Sequence, residues 1–197
     1  EWEKVKGRLK ELTFNEPVEL LLNLAAEHIG VASKKKKNRK DIKKIVNIIR
    51  SSQTFPHQTE LTEVFAGKLY PFDPLAGAVM TLSLQQYGQN ERSLFTFLNS
   101  YDRFGLKDYN TDQNPYYNLA CVYDYLLHNY YSFLSTKYNP HYTQWAAIKR
   151  AVERIDGTFE KDITNAAKIA KTIGLLNIFA SESAIMDGEF LTSYAKC

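Results

Sequence analysis

The stretch Asn114-Pro115-Tyr116-Tyr117-Asn118-Leu119-Ala120-Cys121-Val122-Tyr123-Asp124-Tyr125-Leu126-Leu127-His128-Asn129-Tyr130-Tyr131-Ser132-Phe133-Leu134 has one clear period. Leu119, Val122, Tyr123, Leu126, Leu127, Tyr130 and Leu134 recur at steps of three and four, which puts them on one face of a helix several turns long. Asn114-Pro115 reads as its start, because proline has a fixed φ and no N–H to leave unbonded in the first helical turn. A helix of this length predicts the spine of a bundle.

The same grammar extends outward in both directions. Upstream, Asp73-Pro74 opens a helix with Leu75, Ala78, Val79 and Leu82 inward; Gly88 closes it, and Asn90 caps the next, with Leu94, Phe95 and Leu98 on its apolar side. Nearer the start, residues 16–29 follow Asn15 and place Val18, Leu21, Leu22, Ala25 and Ile29 together, while Asp41 caps a helix bearing Ile42, Ile45, Val46 and Ile49. Downstream, Asn139-Pro140 opens a helix with Tyr142, Trp145, Ile148, Val152 and Ile155 inward, ended by Asp156-Gly157. A helix near 160–177 carries Ile163, Ala166, Ala167, Ala170 and Ile173, and Asp187 caps a short one with Phe190, Leu191 and Tyr194. Strand patterns are scarce, and the helices share no fixed repeat length, so the expected fold is all-α, an irregular multi-helix bundle of one domain or two small lobes.

Composition sets the frame for function. The 197 residues are 44% hydrophobic and 24% charged, proportions of a chain that folds rather than one that stays disordered. No stretch approaches the roughly 20 apolar residues of a membrane span. Only Cys121 and Cys197 are present, which offers no disulfide framework and leads us to expect a reducing, cytoplasmic setting without membrane contact. The opening Glu1-Trp2-Glu3-Lys4-Val5-Lys6 has neither a signal-peptide core nor an initiator Met, so we expect a segment of a longer protein.

No complete catalytic constellation is visible. Gly67-Lys68 lacks the upstream glycine and following hydroxyl of a P-loop, and there is no Gly-x-Ser-x-Gly, His-Glu-x-x-His or Cys-x-x-Cys. His28, His57, His128 and His141 lie far from one another and from other ligand types, which favours packing or surface roles over metal binding. Asp124 falls inside a helical pattern and receives no catalytic role.

Two pieces carry a resemblance: Leu69-Tyr70-Pro71-Phe72-Asp73-Pro74-Leu75, and Tyr87-Gly88-Gln89-Asn90-Glu91-Arg92-Ser93-Leu94-Phe95-Thr96-Phe97-Leu98. With 123–126 (Tyr-Asp-Tyr-Leu) and 171–177 (Lys-Thr-Ile-Gly-Leu-Leu-Asn), they resemble the helical region of large bacterial P-loop ATPases of AAA+ or STAND-like type, including phage-defence ATPases. The resemblance covers roughly residues 65–180. Gly7-Arg8-Leu9 is similar to the segment leaving the ATPase core of such proteins, with Leu9 where Phe is common.

The resemblance implies a non-catalytic lid or regulatory domain whose ATP and Mg are bound by an upstream ATPase domain of the same polypeptide, and whose task is to couple nucleotide state to downstream modules. It divides the chain into a segment leaving that core (1–50), a polar linker (51–60), a main bundle (61–178) and a cap or the start of a further, winged-helix-like module (179–197). The nucleotide-sensing candidates are Arg92, Asn90 and Arg8. With Asn90 as cap, Arg92 enters the first helical turn, where the guanidinium and the helix N-terminus both favour an anion; a surface ion pair with Glu91 or another carboxylate is the rival reading.

Two alternatives belong to other classes. Lys34, Lys35, Lys36, Lys37, Arg39 and Lys40 concentrate positive charge that phosphates of DNA or RNA would attract, but no aromatic residue interleaves them for base stacking, which favours a solvated loop. The Tyr-rich helix, with Tyr116, Tyr117, Tyr123, Tyr125, Tyr130 and Tyr131, has rings on more than one face; core and inter-domain packing explain them, or a groove for a protein partner.

Overall fold

The computed structural model describes residues 17–32, 39–55, 61–87, 91–99, 101–112, 114–158 and 161–197, with backbone alone at 31, 32, 91–93 and 156. Nine helices run through them: α1 (Val18–Ala32), α2 (Arg39–Ser52), α3 (Glu63–Leu69), α4 (Pro74–Tyr87), α5 (Glu91–Asn99), α6 (Leu119–Leu134), α7 (Tyr142–Thr158), α8 (Ile163–Phe179) and α9 (Gly188–Ala195). The fold is all-α, a multi-helix bundle. The sole bridge among the described residues pairs Phe72 with Tyr117 in parallel.

The centre is α4. Small residues and hydroxyls leave it no polar face, and a helix apolar all round is stable only when covered on all sides. Here α1, α3, α5, α6 and α8 all pack on it. Thr81 and Ser83 are buried within it, and each hydroxyl donates back to the carbonyl four residues earlier, Gly77 at 2.9 Å and Val79 at 2.6 Å, so neither is left unbonded. At Gly77 an added Cβ would sit 3.2 Å from a methyl of Leu22, which lets α1 approach closely.

One apolar core extends from Val18 on α1 to Tyr194 on α9. The expected inward faces of α1 and α2 are buried throughout. Ser51 and Ser52, at the start of the polar 51–60 stretch, finish α2, and 56–60 lie outside the described residues.

Several helix starts differ from the sequence reading, for local reasons. Asn114-Pro115 does not open α6: Pro115 and Tyr116 lie in a bend, Tyr117 pairs with the 70–73 segment with its N–H donating to Pro71 O at 2.8 Å, and Asn118 caps instead, its side chain accepting from Ala120 and Cys121. After Asn139-Pro140, the Asn139 side chain accepts from His141 N–H at 3.0 Å, a local turn that delays α7 to Tyr142. Asp41 lies in the first turn of α2 rather than at its cap. Helix α7 runs one residue past Asp156-Gly157.

The short α3 went unrecognised in the sequence because seven residues give too few repeats; Thr62, whose hydroxyl accepts from Phe65 N–H, was its one local signal. On α8 the expected inward set is only half-covered, and Ile163 is exposed, while Thr172, Gly174, Leu175, Leu176 and Phe179 are buried. The first half of α8 runs beyond the core, so its register is set by the second half.

Candidate functional site

The four stretches that carry the family resemblance meet in space. Phe72, at the end of the Tyr70-Pro71 turn, lies 5.5 Å ring to ring from Phe97 of α5, and Phe97 lies 4.7 Å from Tyr125 of α6. Asp124 of α6 accepts both contacts of the Lys171 ammonium on α8, at 2.7 and 2.8 Å, and Lys171 also lies 5.5 Å from the Tyr123 ring centre. Lysine and aspartate here are partly exposed, so this pair orients α8 on α6 more than it stabilises the fold.

Arg92 is the second residue of α5, and its side chain, with Asn90 and Arg8 altogether, lies outside the described residues. Leu94, Phe97 and Leu98 anchor α5 into the core, and α5 packs on both α1 and α4. Of the basic run, Lys34 to Lys37 also lie outside the described residues, and Arg39 and Lys40 are exposed at the start of α2.

Beside Phe72 sits a buried polar junction that the sequence reading did not foresee. Asp73 is fully buried as the cap of α4: one carboxylate oxygen accepts from Leu75 N–H at 2.7 Å and Ala76 N–H at 3.3 Å. Its other oxygen accepts the hydroxyl of Tyr194, on α9, and that same phenolic oxygen accepts from Leu119 N–H at 3.2 Å, in the first turn of α6. One carboxylate and one phenol thus join the starts of α4 and α6 to α9. Burial, and then the neighbouring Asp73 charge, push the Tyr194 phenol well above its ordinary range, so it keeps its proton and donates. The signals available were the Asp73-Pro74 cap and an apolar face bearing Tyr194; their separation of 121 residues hid the pairing.

Burial also pushes the Asp73 carboxyl up to about 6, against the lowering pull of Tyr194 and the two amides. Well below pH 4 both folded and unfolded forms are protonated at this position. Between there and about 6 the folded form keeps a proton that the unfolded form has released, so stability falls as pH rises. Relative to Asp73→Asn, the wild type should therefore lose roughly 2 kcal/mol between pH 4 and pH 7 in urea unfolding; a difference that stays constant with pH would exclude this.

A second feature is open to solvent. Helix α8 packs against both α6 and α7 and leaves a groove of about 290 Å³ between those two. Leu127 and Ala146 are its half-covered apolar floor, with Leu134 and Trp145 buried beneath them, and Tyr131, Tyr142, Lys149, Arg150 and Glu153 stand around it. Trp145 is fixed from behind: its ring stacks on Tyr123 at 5.7 Å, and its indole N–H donates to Tyr87 Oη at 3.0 Å. The Lys149 ammonium lies 5.0 Å from the Tyr131 ring centre and 3.3 Å from its hydroxyl. Of the tyrosines grouped in the sequence reading, Tyr116, Tyr117, Tyr123 and Tyr125 are buried, Tyr130 is half-buried against the core, and Tyr131 faces this groove.

The histidines that are described take packing or surface positions. His28 Nε2 pairs with Asn99 Oδ1 at 2.9 Å, and the rings of His128 and His141 lie against Phe104 and Phe179. Among the described residues no group of three His, Cys, Asp or Glu is arranged to hold a metal, and no helix is long and apolar enough to cross a membrane. Comparison with protein-family models, with curated proteins and with solved structures finds no match for the chain.

Proposed function

We propose that the chain is a helical regulatory module of a larger bacterial ATPase of AAA+ or STAND-like type, acting in phage defence or another stress response, and that it relays the nucleotide state of an upstream lobe rather than performing hydrolysis. The observation that carries this reading is the convergence of the four family-like stretches on one core. They form a connected unit, Phe72 on Phe97, Phe97 on Tyr125 and Lys171 on Asp124, and that unit carries Arg92 in the first turn of α5.

The mechanics follow from how α5 is held. A phosphate contact made by Arg92 before hydrolysis and lost after it would bias the position of α5, and α5 cannot shift without repacking Leu94, Phe97 and Leu98 against α1 and α4. Close-packed interfaces respond to such a bias by changing between discrete arrangements rather than by yielding gradually. ATP and Mg belong to the neighbouring lobe in this scheme, and cytoplasmic residence follows from it.

In the full-length protein, Arg92→Ala should lower ATP turnover at least about tenfold, the order expected for loss of a charged group that stabilises the transferring phosphoryl. The circular dichroism and melting temperature of this chain should stay as they are. Unchanged turnover would remove the proposal.

A further inference from the structure

We propose that the α6–α7 groove is a docking site for an acidic peptide segment of a partner protein, with a large apolar side chain seated on Leu127 and Ala146 between the rings of Tyr131 and Tyr142, and flanking carboxylates on Lys149 and Arg150. The inference goes beyond the nucleotide-coupling role and does not depend on it.

Shape is the first argument. The lining runs from Tyr142 to Glu153 along α7, twelve residues spanning about 16 Å at the helical rise. A trough that long and open at the top suits an extended or helical peptide better than a compact metabolite, which an enclosed pocket would hold.

Charge is the second. Lys149 and Arg150 stand beside an otherwise apolar floor, against the single carboxylate of Glu153. Glu153 lies 3.9 Å from Lys149 and is well exposed, so it neutralises only one end of the groove. The ammonium of Lys149 is oriented by Tyr131, through ring face and hydroxyl together, which reduces the freedom lost when an incoming carboxylate binds. A basic segment would be repelled by Lys149 and Arg150. Nucleic acid fits poorly, because two cations neutralise few phosphates and the floor is mainly aliphatic.

Rigidity is the third. Trp145, only 3% exposed, lies beneath the floor and is fixed by Tyr123 and Tyr87, so the stretch of α7 that carries Tyr142 and Ala146 is held in place before the ligand arrives.

The test uses the whole chain and a rhodamine-labelled synthetic peptide, Ser-Asp-Glu-Leu-Leu-Asp-Glu-Phe, followed by fluorescence anisotropy. We expect saturable binding below about 100 μM that weakens as salt rises. The Lys149→Glu/Arg150→Glu variant should bind at least tenfold more weakly, as should wild type toward a peptide with Asn and Gln in place of Asp and Glu. Tyr142→Ala, a change at a partly exposed ring, should weaken binding without altering the melting temperature. No saturation by 1 mM, or equal binding by the charge-reversed variant, overturns the proposal. Full displacement by a single-stranded oligonucleotide also overturns it, since the surface would then be a general anion attractor.

Discussion

Tyr194→Phe should destabilise the chain by about 3 kcal/mol at pH 7, because it removes one oxygen from the centre of the structure and leaves two groups unbonded. The Asp73 carboxylate loses the donor that faces its second oxygen, and the Leu119 N–H loses its acceptor. Both lie where water does not reach, since Asp73 is fully buried and Tyr194 is 1% exposed. Depriving a buried charge of a partner is among the costliest single changes. At pH 4 the carboxyl is protonated and the charge is gone, so the penalty should fall to about half. Urea unfolding at the two pH values measures both quantities; a cost below about 1 kcal/mol at pH 7 would show that the junction contributes little.

The second large effect is at Gly174, where α8 crosses α7. A Cβ there would lie 2.3 Å from Cγ1, 2.7 Å from Cδ1 and 2.9 Å from Cγ2 of Ile148, so the whole side chain, not its tip, stands in the way. Alanine would gain about 1 kcal/mol of helix propensity over glycine, yet overpacking a close crossing costs up to about 3 kcal/mol or more. We expect Gly174→Ala to lose about 2 kcal/mol net and Gly174→Leu to prevent folding. Ile148→Ala removes all three offending atoms, so Gly174→Ala/Ile148→Ala should be more stable than the sum of the single changes by roughly 2 kcal/mol. Simple additivity in that cycle would mean the helices separate rather than collide.

Much of this architecture was readable because apolar spacing of three and four is a local property. The buried faces of α1, α2, α6 and α9 follow from it, as does Asp187 as the cap of α9, with its carboxylate accepting Phe190 N–H at 2.8 Å. Proline starts misled at Asn114-Pro115 and Asn139-Pro140, where a backbone pairing and a side-chain turn, respectively, compete with helix initiation. On α4 four inward residues were expected, yet nearly the whole surface is covered, since small residues allow neighbours to close on every side.

The candidate sites were less readable. Lys149 and Arg150 look in sequence like any charged helix face, and only the placement of α6 opposite them makes a groove. Asp73 was visible as a cap, but nothing local told that Tyr194 would meet it. Arg92 was conspicuous through its neighbours in the chain, and its side chain lies outside the described residues.

The Asp73–Tyr194 contact has a consequence for biosynthesis. A ribosome delivers residue 73 well before residue 194, so the nascent polypeptide must hold a capped but phenol-less carboxylate while the 121 residues that separate them are made. The junction at the middle of the bundle can close only once α9 has cleared the exit tunnel, so a product that stops short of α9 keeps a buried carboxylate without its phenol.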